Sequence, residues 1–499
     1  MILLDASQIR AWDAYTIKNE PISSFDLMER AALACFNWLS ENGYLENSFS
    51  IFCGKGNNGG DGLALARMLS LNGSSVTVYI LEFGKLGTPD FQRNLQLLHE
   101  TAADIHFISE PERLPAIEKS AIVIDALIGT GLNKPLEGLW QSTVQLLNQS
   151  GNEIISIDIP SGMYADESSV DNSFIRASHT LSFQCYKMAF LVAENEAGMG
   201  QVHILDIGLD RKFLSSLEKN YQLLTASYLK PYFNKRHLFS HKGKHGHAAL
   251  MVGSKGMMGA AILAAKACLR SGAGKLTCYI PEEGVSIVQA GIPEAMCSID
   301  TYTGDNEKLD KLACYDSIGI GPGIGNTEES KNRLLFILKH YKRPVVLDAD
   351  ALNLVAGNLE LWKLIPANSI LTPHVKECER LFGKAGNDFT RIGLAIKKAK
   401  EYQVVIVLKG HYTLIADPSG KYIFNSTGNP GLAKGGTGDV LTGIITSFLS
   451  QGYSPFDAAC FAVHLHGMAA DKAIEKLAQE SLLASDVIDN IGQCIPAYY

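Results

Sequence analysis

The sequence predicts an α/β protein of two domains, and three observations carry that expectation. Short β-branched runs alternate with longer helical patterns through both halves, which is the pattern of a mainly parallel sheet. The series stops in a polar, aromatic stretch from Ser215 to His245 and then starts again. A length of 499 residues is also more than one hydrophobic core usually organises. The boundary falls between Leu209 and about Thr225, giving domains over residues 1–215 and 225–499.

In the first half the expected strands are Ser50–Cys53, Ser75–Ile80, Asp104–Ile108, Ala121–Asp125, Glu153–Asp158 and His179–Phe183, with helical patterns such as Leu63–Leu71 and Gly138–Leu147 between them. In the second half they are His247–Val252, Lys275–Tyr279, Ser317–Gly321, Pro344–Leu347 and Val404–Leu408. No internal repeat relates the halves, so they read as different domains.

Composition narrows the function classes. The richest apolar stretch, Gly259–Leu269, is broken by Lys266 and falls short of the ~18 to 20 residues that span a bilayer, so a soluble chain with no membrane partner is expected. The start Met1-Ile2-Leu3-Leu4-Asp5 meets an acid at once and has no basic, apolar leader, which points to the cytoplasm. A net charge of -8 without a basic cluster disfavours nucleic acid. Ten cysteines lie at irregular spacings with no C-x-x-C pair and read as reduced core thiols.

Ligands of open α/β sheets sit beyond the carboxyl ends of the strands, and the glycine-rich segments fall in such places. Gly54-Lys55-Gly56-Asn57-Asn58-Gly59-Gly60-Asp61-Gly62 follows the first strand and precedes a helix, where glycines let the backbone approach a ligand and free amides favour anions. Taken alone, such a turn is equally a tight turn. Two more strand-end loops accompany it, Asp125-Ala126-Leu127-Ile128-Gly129-Thr130-Gly131-Leu132-Asn133-Lys134-Pro135 and Asp158-Ile159-Pro160-Ser161-Gly162. Asn58, Asp125 and Ser161 together offer amide, carboxylate and hydroxyl oxygens, a hard set with one charge, suited to a weakly charged cation.

These three ordered segments, within roughly residues 1–210, closely resemble the NAD(P)H-hydrate epimerase family, whose hallmarks are N-N-G-G-D-G, D-A-[LI]-x-G-T-G-L-N-[RK]-P and D-[IV]-P-S-G. Lys55 departs from the pattern, since a proline is common there in relatives. The resemblance implies a Rossmann-like three-layer α/β/α domain. It implies that Asn57, Asn58, Gly59, Gly60 and Asp61, with Gly129, Thr130, Gly131, Leu132, Asn133, Lys134 and Pro135, cradle the dinucleotide. Asn58, Asp125 and Ser161 would hold potassium. The implied substrate is NADH or NADPH carrying water at C6 of the nicotinamide ring, a carbon that inverts by reversible loss of its substituent. Asp158, at the nicotinamide end, is the expected acid-base group.

The second half holds Lys242-Gly243-Lys244-His245-Gly246-His247, then Gly253-Ser254-Lys255-Gly256-Met257-Met258-Gly259-Ala260-Ala261, where small residues admit a planar ring while Met257 and Met258 read as packing residues. Gly321-Pro322-Gly323-Ile324-Gly325, Asp348-Ala349-Asp350, Thr372-Pro373-His374-Val375-Lys376-Glu377 and Lys409-Gly410-His411-Tyr412-Thr413 each follow a strand. Asn429-Pro430-Gly431 leads into Lys434-Gly435-Gly436-Thr437-Gly438-Asp439 and an apolar helix from Val440 to Leu449. Consecutive glycines at a helix start form a concave set of amides that stabilises a transferring phosphoryl group. Asp439 in the first turn would complement the helix dipole, but so long a glycine approach favours a catalytic acid.

Over about residues 225–495 these motifs look like the ribokinase-like superfamily, and within it the ADP-dependent NAD(P)H-hydrate dehydratases, including the run His464-Leu465-His466-Gly467. The resemblance implies a ribokinase-like α/β domain in which Ala260, Gly323, His374 and Asp439 contact the hydrated dinucleotide. Lys409, Gly410, His411, Tyr412, Thr413 and Gly438 would contact ADP or AMP, and magnesium would accompany the donor. Asp439 would take the proton of the C6 hydroxyl, that oxygen would take the terminal phosphoryl group of ADP, and phosphate would leave as the ring is restored. A stereospecific dehydratase consumes one epimer unless a second site interconverts them, which gives the fusion its rationale. The family also implies a homo-oligomer. The rival reading is a ribokinase-like kinase of a small molecule, such as a hydroxymethylpyrimidine or sugar, with a nucleotide-binding N-terminal module, because the same loop and acid serve that chemistry.

Overall fold

A computed structural model describes residues 2–217, 223–299 and 312–499. The chain divides into two compact units, Met1–Tyr221 with Asn387–Phe389, and Gln222–Gly386 with Thr390–Tyr499. Part of the expected boundary, residues 218–222, lies outside the described residues.

The first unit is a parallel sheet of β1 (Phe49–Cys53), β2 (Val76–Leu81), β3 (Asp104–Ile108), β4 (Ile122–Ala126), β5 (Ile154–Ile157), β6 (His179–Phe183) and β7 (Gln201–Leu205), in the order β3-β2-β1-β4-β5-β6-β7. Strands buried on both faces read as nearly continuous apolar runs, and β1, interrupted only by Ser50, does so because alternate residues serve two cores. Ile51 and Cys53 pack with helices Ser24–Glu41 and Asn57–Leu71, whereas Phe52 packs on the opposite face with helix Leu139–Gln149. Three layers follow from that alternation. Chain order reverses between β1 and β4, so the loops after β1, β4 and β5 leave the same edge side by side.

The second unit carries β8 (Leu223–Leu224), β9 (His247–Met251), β10 (Lys275–Ile280), β11 (Met296–Ile299), β12 (Ser317–Ile320), β13 (Val345–Leu347), β14 (Ile370–Leu371), β15 (Val405–Leu408), β16 (Leu414–Ala416) and β17 (Tyr422–Asn425). Their order is β11-β10-β9-β12-β13-β14-β15-β16-β17-β8. From β11 to β15 all pairings are parallel, and β16 is antiparallel to both its neighbours. The reversal here lies between β9 and β12, and helices Thr437–Ser450, Pro455–Ala473 and Ala484–Cys494 bury the main core against the middle strands.

Two sequence expectations change. The helix expected to begin at Leu63 begins at Asn57, so the Asn57–Asp61 motif is a helix start rather than a loop before one. Short strands β8, β14, β16 and β17 were not expected, since two to four residues leave little periodic signal. Eight of the ten cysteines are buried, as expected of core thiols, but Cys314 is exposed and Cys297 half-buried. Among the described residues no helix is long and apolar enough to cross a membrane.

Candidate active sites

At the edge of the first unit Asn58, Asp125, Gly129, Asp158 and Ser161 converge. A Cβ added to Gly129 would lie 2.7 Å from Asp158 Oδ2 and 3.2 Å from Asn58 Oδ1, so glycine there lets three loops meet. Thr130 donates its amide to Asp158 Oδ2 at 3.1 Å. The buried Asp125 carboxylate accepts from Ser156 Oγ, Ser161 N and Ser161 Oγ at 2.7, 2.8 and 2.6 Å. Ile128 in turn donates its amide to Ser161 Oγ. Burial pushes Asp125 above the ordinary carboxylate range, and these donors oppose the push.

Asn58 is buried, and among the described residues neither its Oδ1 nor its Nδ2 has a hydrogen-bond partner. A buried amide without a partner is costly unless a ligand satisfies it. Its free oxygen beside the Asp125–Ser161 pair fits a cation held by oxygen. Asn57, Asn133, Lys134 and Pro135 are exposed along the rim, and Leu132 leans on the core beside Leu136 and Leu139. Lys55, the departure from the motif, ties the loop down by pairing with Glu82 at 2.5 Å and donating to the Lys85 carbonyl at 2.7 Å.

The glycines of this motif turn out to serve packing. A Cβ on Gly59 would lie 1.7 Å from the Gly54 carbonyl oxygen, and one on Gly62 would meet Ala126 and Cys53 at 2.5 and 2.9 Å. The helix can press onto β1 and β4 only without those carbons. Sequence reasoning missed Lys187 and Asp13. Lys187 is fully buried and pairs with Asp158 Oδ1 at 2.8 Å. Asp13 is pushed up to about 7 by burial and by the Asp158 charge, against the pull of Lys187, and burial with Asp158 raises Asp61 well above the ordinary range. A lysine inside the apolar run Cys185–Val192 was the available signal.

In the second unit Lys409 is the hub. Its ammonium pairs with Asp348 Oδ1 at 2.8 Å and lies 3.8 Å from Glu377 Oε2, and Thr442 Oγ1 donates to Asp348 Oδ2 at 2.7 Å. Burial alone would raise Asp348, but Lys409 and these hydrogen bonds hold it below the ordinary range. A Cβ on Gly438 would lie 3.6 Å from both Asp348 Oδ2 and Lys409 Nζ, so the helix start opens toward this pair. Gly436 is the left-handed N-cap of helix Thr437–Ser450, at φ +94°, which presents the following amides outward. Asp439 in that first turn is pushed up to about 6 by burial and then by Asp348, with Lys409 opposing. A carboxylate whose proton affinity is raised toward neutrality suits proton transfer.

Asp348, Thr442 and Glu377 were missing from the expected site, although Asp348 stands in the quoted Asp348-Ala349-Asp350 run. Gly323, at φ +66°, abuts Ala260: a Cβ there would lie 3.1 Å from that of Ala260. Met258 packs in the core as expected, whereas Met257 is 51% exposed at the same rim. His374 is the N-cap of helix Val375–Phe382, its Nδ1 accepting from the amides of Lys376 and Glu377, which leaves Nε2 to face outward 3.5 Å from Glu377 Oε1. Pro373 accepts the Lys409 amide at 2.9 Å, joining the His374 and Lys409 loops. Gly410 and Thr413 close a turn on each other, with Gly410 and His411 exposed at its tip and Tyr412 packing against His411. The Asn429 loop is pinned by Asp471, which accepts from Gly428 N and Asn429 Nδ2 at 2.8 and 2.9 Å.

The chain was compared with known proteins. The family described as NAD(P)H-hydrate dehydratase matches residues 248–493, and that described as YjeF-related protein N-terminus matches residues 24–189. Curated relatives named bifunctional NAD(P)H-hydrate repair enzyme include one from Moorella thermoacetica, 33% identical, covering 98% of this chain and 96% of the relative. Another, from Coxiella burnetii, is 35% identical and covers 98% of each. Among solved structures, the ADP/ATP-dependent NAD(P)H-hydrate dehydratase of Bacillus subtilis, co-crystallised with ATP/Mg2+, is 34% identical at a TM-score of 0.50, covering 56% of this chain and all of that one. A ribokinase-like superfamily protein from Enterococcus faecalis is 27% identical at the same TM-score, covering 56% and 96%.

Proposed function

Because the chain belongs to the family of bifunctional NAD(P)H-hydrate repair enzymes, we propose that its units perform the two halves of one repair: residues 1–215 epimerise the R and S forms of hydrated NADH and NADPH, and residues 225–499 dehydrate the S form. The small-molecule kinase reading is set aside, since relatives similar over 98% of the chain carry this name.

The observation that carries the dehydratase half is the meeting of Asp439, the open Gly438 amide and the Lys409–Asp348 pair at one helix start. Asp439 takes the proton from the C6 hydroxyl. The hydroxyl oxygen then bonds to the terminal phosphorus of ADP as the bond to AMP breaks, with Lys409 and the helix-start amides meeting the charge. Phosphate departs with the C6–O electrons as the ring nitrogen lone pair forms a C6 iminium, and loss of a proton from C5 then restores the C5–C6 double bond. Ala260, Gly323 and the outer face of His374 hold the hydrated ring, and Lys409 to Thr413 with Gly438 hold the adenine nucleotide. Magnesium, when bound on the donor phosphates, would neutralise their charge.

In the epimerase half Asp158 donates and recovers the proton as C6 inverts, while Asn57–Asp61 and Gly129–Pro135 line the dinucleotide. Asn58, Asp125 and Ser161 would hold potassium, which would supply positive charge at this sheet edge. The chain works as a cytoplasmic homo-oligomer. Incubation with hydrated NADH plus ADP, and in parallel plus ATP, tests the whole reading: the dihydronicotinamide absorbance recovers with release of phosphate, fastest with ADP. No recovery with either donor contradicts it.

A further inference from the structure

Lys187 is a charged side chain with no exposure at all, a state that lysine almost never adopts unpaired. It follows the strand β6 by four residues and reaches back to Asp158. Its ammonium pairs with Asp158 Oδ1 at 2.8 Å, donates to the Asp158 carbonyl at 3.3 Å and donates to Ser182 Oγ at 2.5 Å. Asp158 itself stands at φ +70°, the left-handed region that a non-glycine residue enters only when its surroundings hold it there. The other carboxylate oxygen accepts from Thr130 N, so both oxygens and the main chain of Asp158 are fixed.

We infer that Lys187 is the positioning residue of the epimerase site, gripping the carboxylate and the carbonyl of Asp158 with one ammonium so that the acid-base oxygen faces the Gly129 loop in a single orientation. The inference rests on the assignment of the proton transfer to Asp158. It also gives the cation a second task. The Asp158 charge acts on Asp61 of helix Asn57–Leu71, on Asp13 of helix Ala6–Asn19 and on the thiols of Cys35 and Cys185, and the Lys187 charge acts on Asp166. Lys187 opposes that accumulation of negative charge, pulling Asp13, Asp166 and Cys185 down.

The test uses the full chain, following epimerisation with pure R hydrate, with dehydration of the S form as the check on the other unit. Lys187→Gln keeps a hydrogen-bond donor and loses the charge. Its acidic limb of kcat against pH moves up by about one unit or more, the effect of removing an adjacent cation. Lys187→Arg keeps the charge and loses the double grip. It retains the parental pH profile and KM while kcat falls about tenfold, and it decides the matter if the glutamine variant does not accumulate. A glutamine profile that superimposes on the parental one after scaling, or an arginine variant with parental kcat, overturns the inference. Asp158→Asn, run alongside, separates the two claims. If it is inactive and the Lys187 profiles do not move, Lys187 alone is wrong; if it keeps the parental rate, the assignment of Asp158 falls and the role of Lys187 falls with it.

Discussion

Two helices of this chain begin in glycine-rich sequence at the carboxyl edge of a parallel sheet, and they use glycine for opposite reasons. In helix Asn57–Leu71 the glycines are filled against the protein: a Cβ on Gly59 would sit 1.7 Å from the Gly54 carbonyl oxygen. In helix Thr437–Ser450 the approach is open at two of its three glycines, with nothing within 4 Å of a Cβ on Gly435 and only Asp348 and Lys409, at 3.6 Å, near one on Gly438, while a Cβ on Gly436 would meet Leu263 at 2.6 Å. Glycine content alone therefore does not mark a phosphate cradle. The first helix start is shaped for backbone packing beneath a carboxylate and an unpartnered amide, while the second leaves space facing the half-buried Lys409.

That contrast can be broken in four places. The largest effect is expected at Asp439. Asp439→Asn lowers dehydration by about 10³-fold, the scale of a lost general base, and leaves epimerisation at the parental rate; equal loss of both activities would show that the sites are not separate. Next come the glycines themselves. Gly438→Ala keeps the thermal midpoint within a few degrees and slows dehydration about 100-fold, because the methyl occupies the open cradle, whereas Gly59→Ala forces backbone apart and costs several kcal/mol. Differential scanning and both assays on the two variants check this, and reversed sensitivities would overturn the comparison.

Third is pH. Burial and Asp348 push Asp439 up to about 6, so the base form prevails above that value and is lost as the pH falls through it. Dehydration with saturating substrates should fall about tenfold per unit below pH 6, and a rate flat down to pH 4.5 contradicts Asp439 as base. The smallest effect belongs to Asn58→Ala, which should abolish the response of epimerisation to potassium against sodium and change the rate a few-fold. A variant that responds to potassium as the parent does would move the cation elsewhere.

Much of the fold was legible because β1, β4 and β9 are buried along nearly their whole length and so appear as mostly apolar runs between helical patterns, interrupted only by Ser50, Asp125 and the leading His247. The convergence of Asn58, Asp125 and Ser161 was legible too, since each follows or ends a strand and strand ends share one edge. What escaped notice was set by tertiary contact. That Gly59 packs under Gly54, that His374 spends Nδ1 on its own helix, and that Lys187 turns back to Asp158 depend on distances that no local pattern encodes. Asp348 was visible as a strand-end acid, but its partner Lys409 lies 61 residues on, and only the pairing of β14 with β15 beside β13 brings them together.

The central claim is that one chain holds two separable carboxylate sites, one interconverting the epimers of a damaged cofactor and the other restoring the S form. Full chain, Asp158→Asn and Asp439→Asn are each given pure R or pure S hydrate of NADH with ADP, and the dihydronicotinamide absorbance is followed. The parent should restore both epimers, Asp158→Asn the S form alone, and Asp439→Asn neither, while still equilibrating the two. Restoration of the R form by Asp158→Asn at the parental rate would contradict the account.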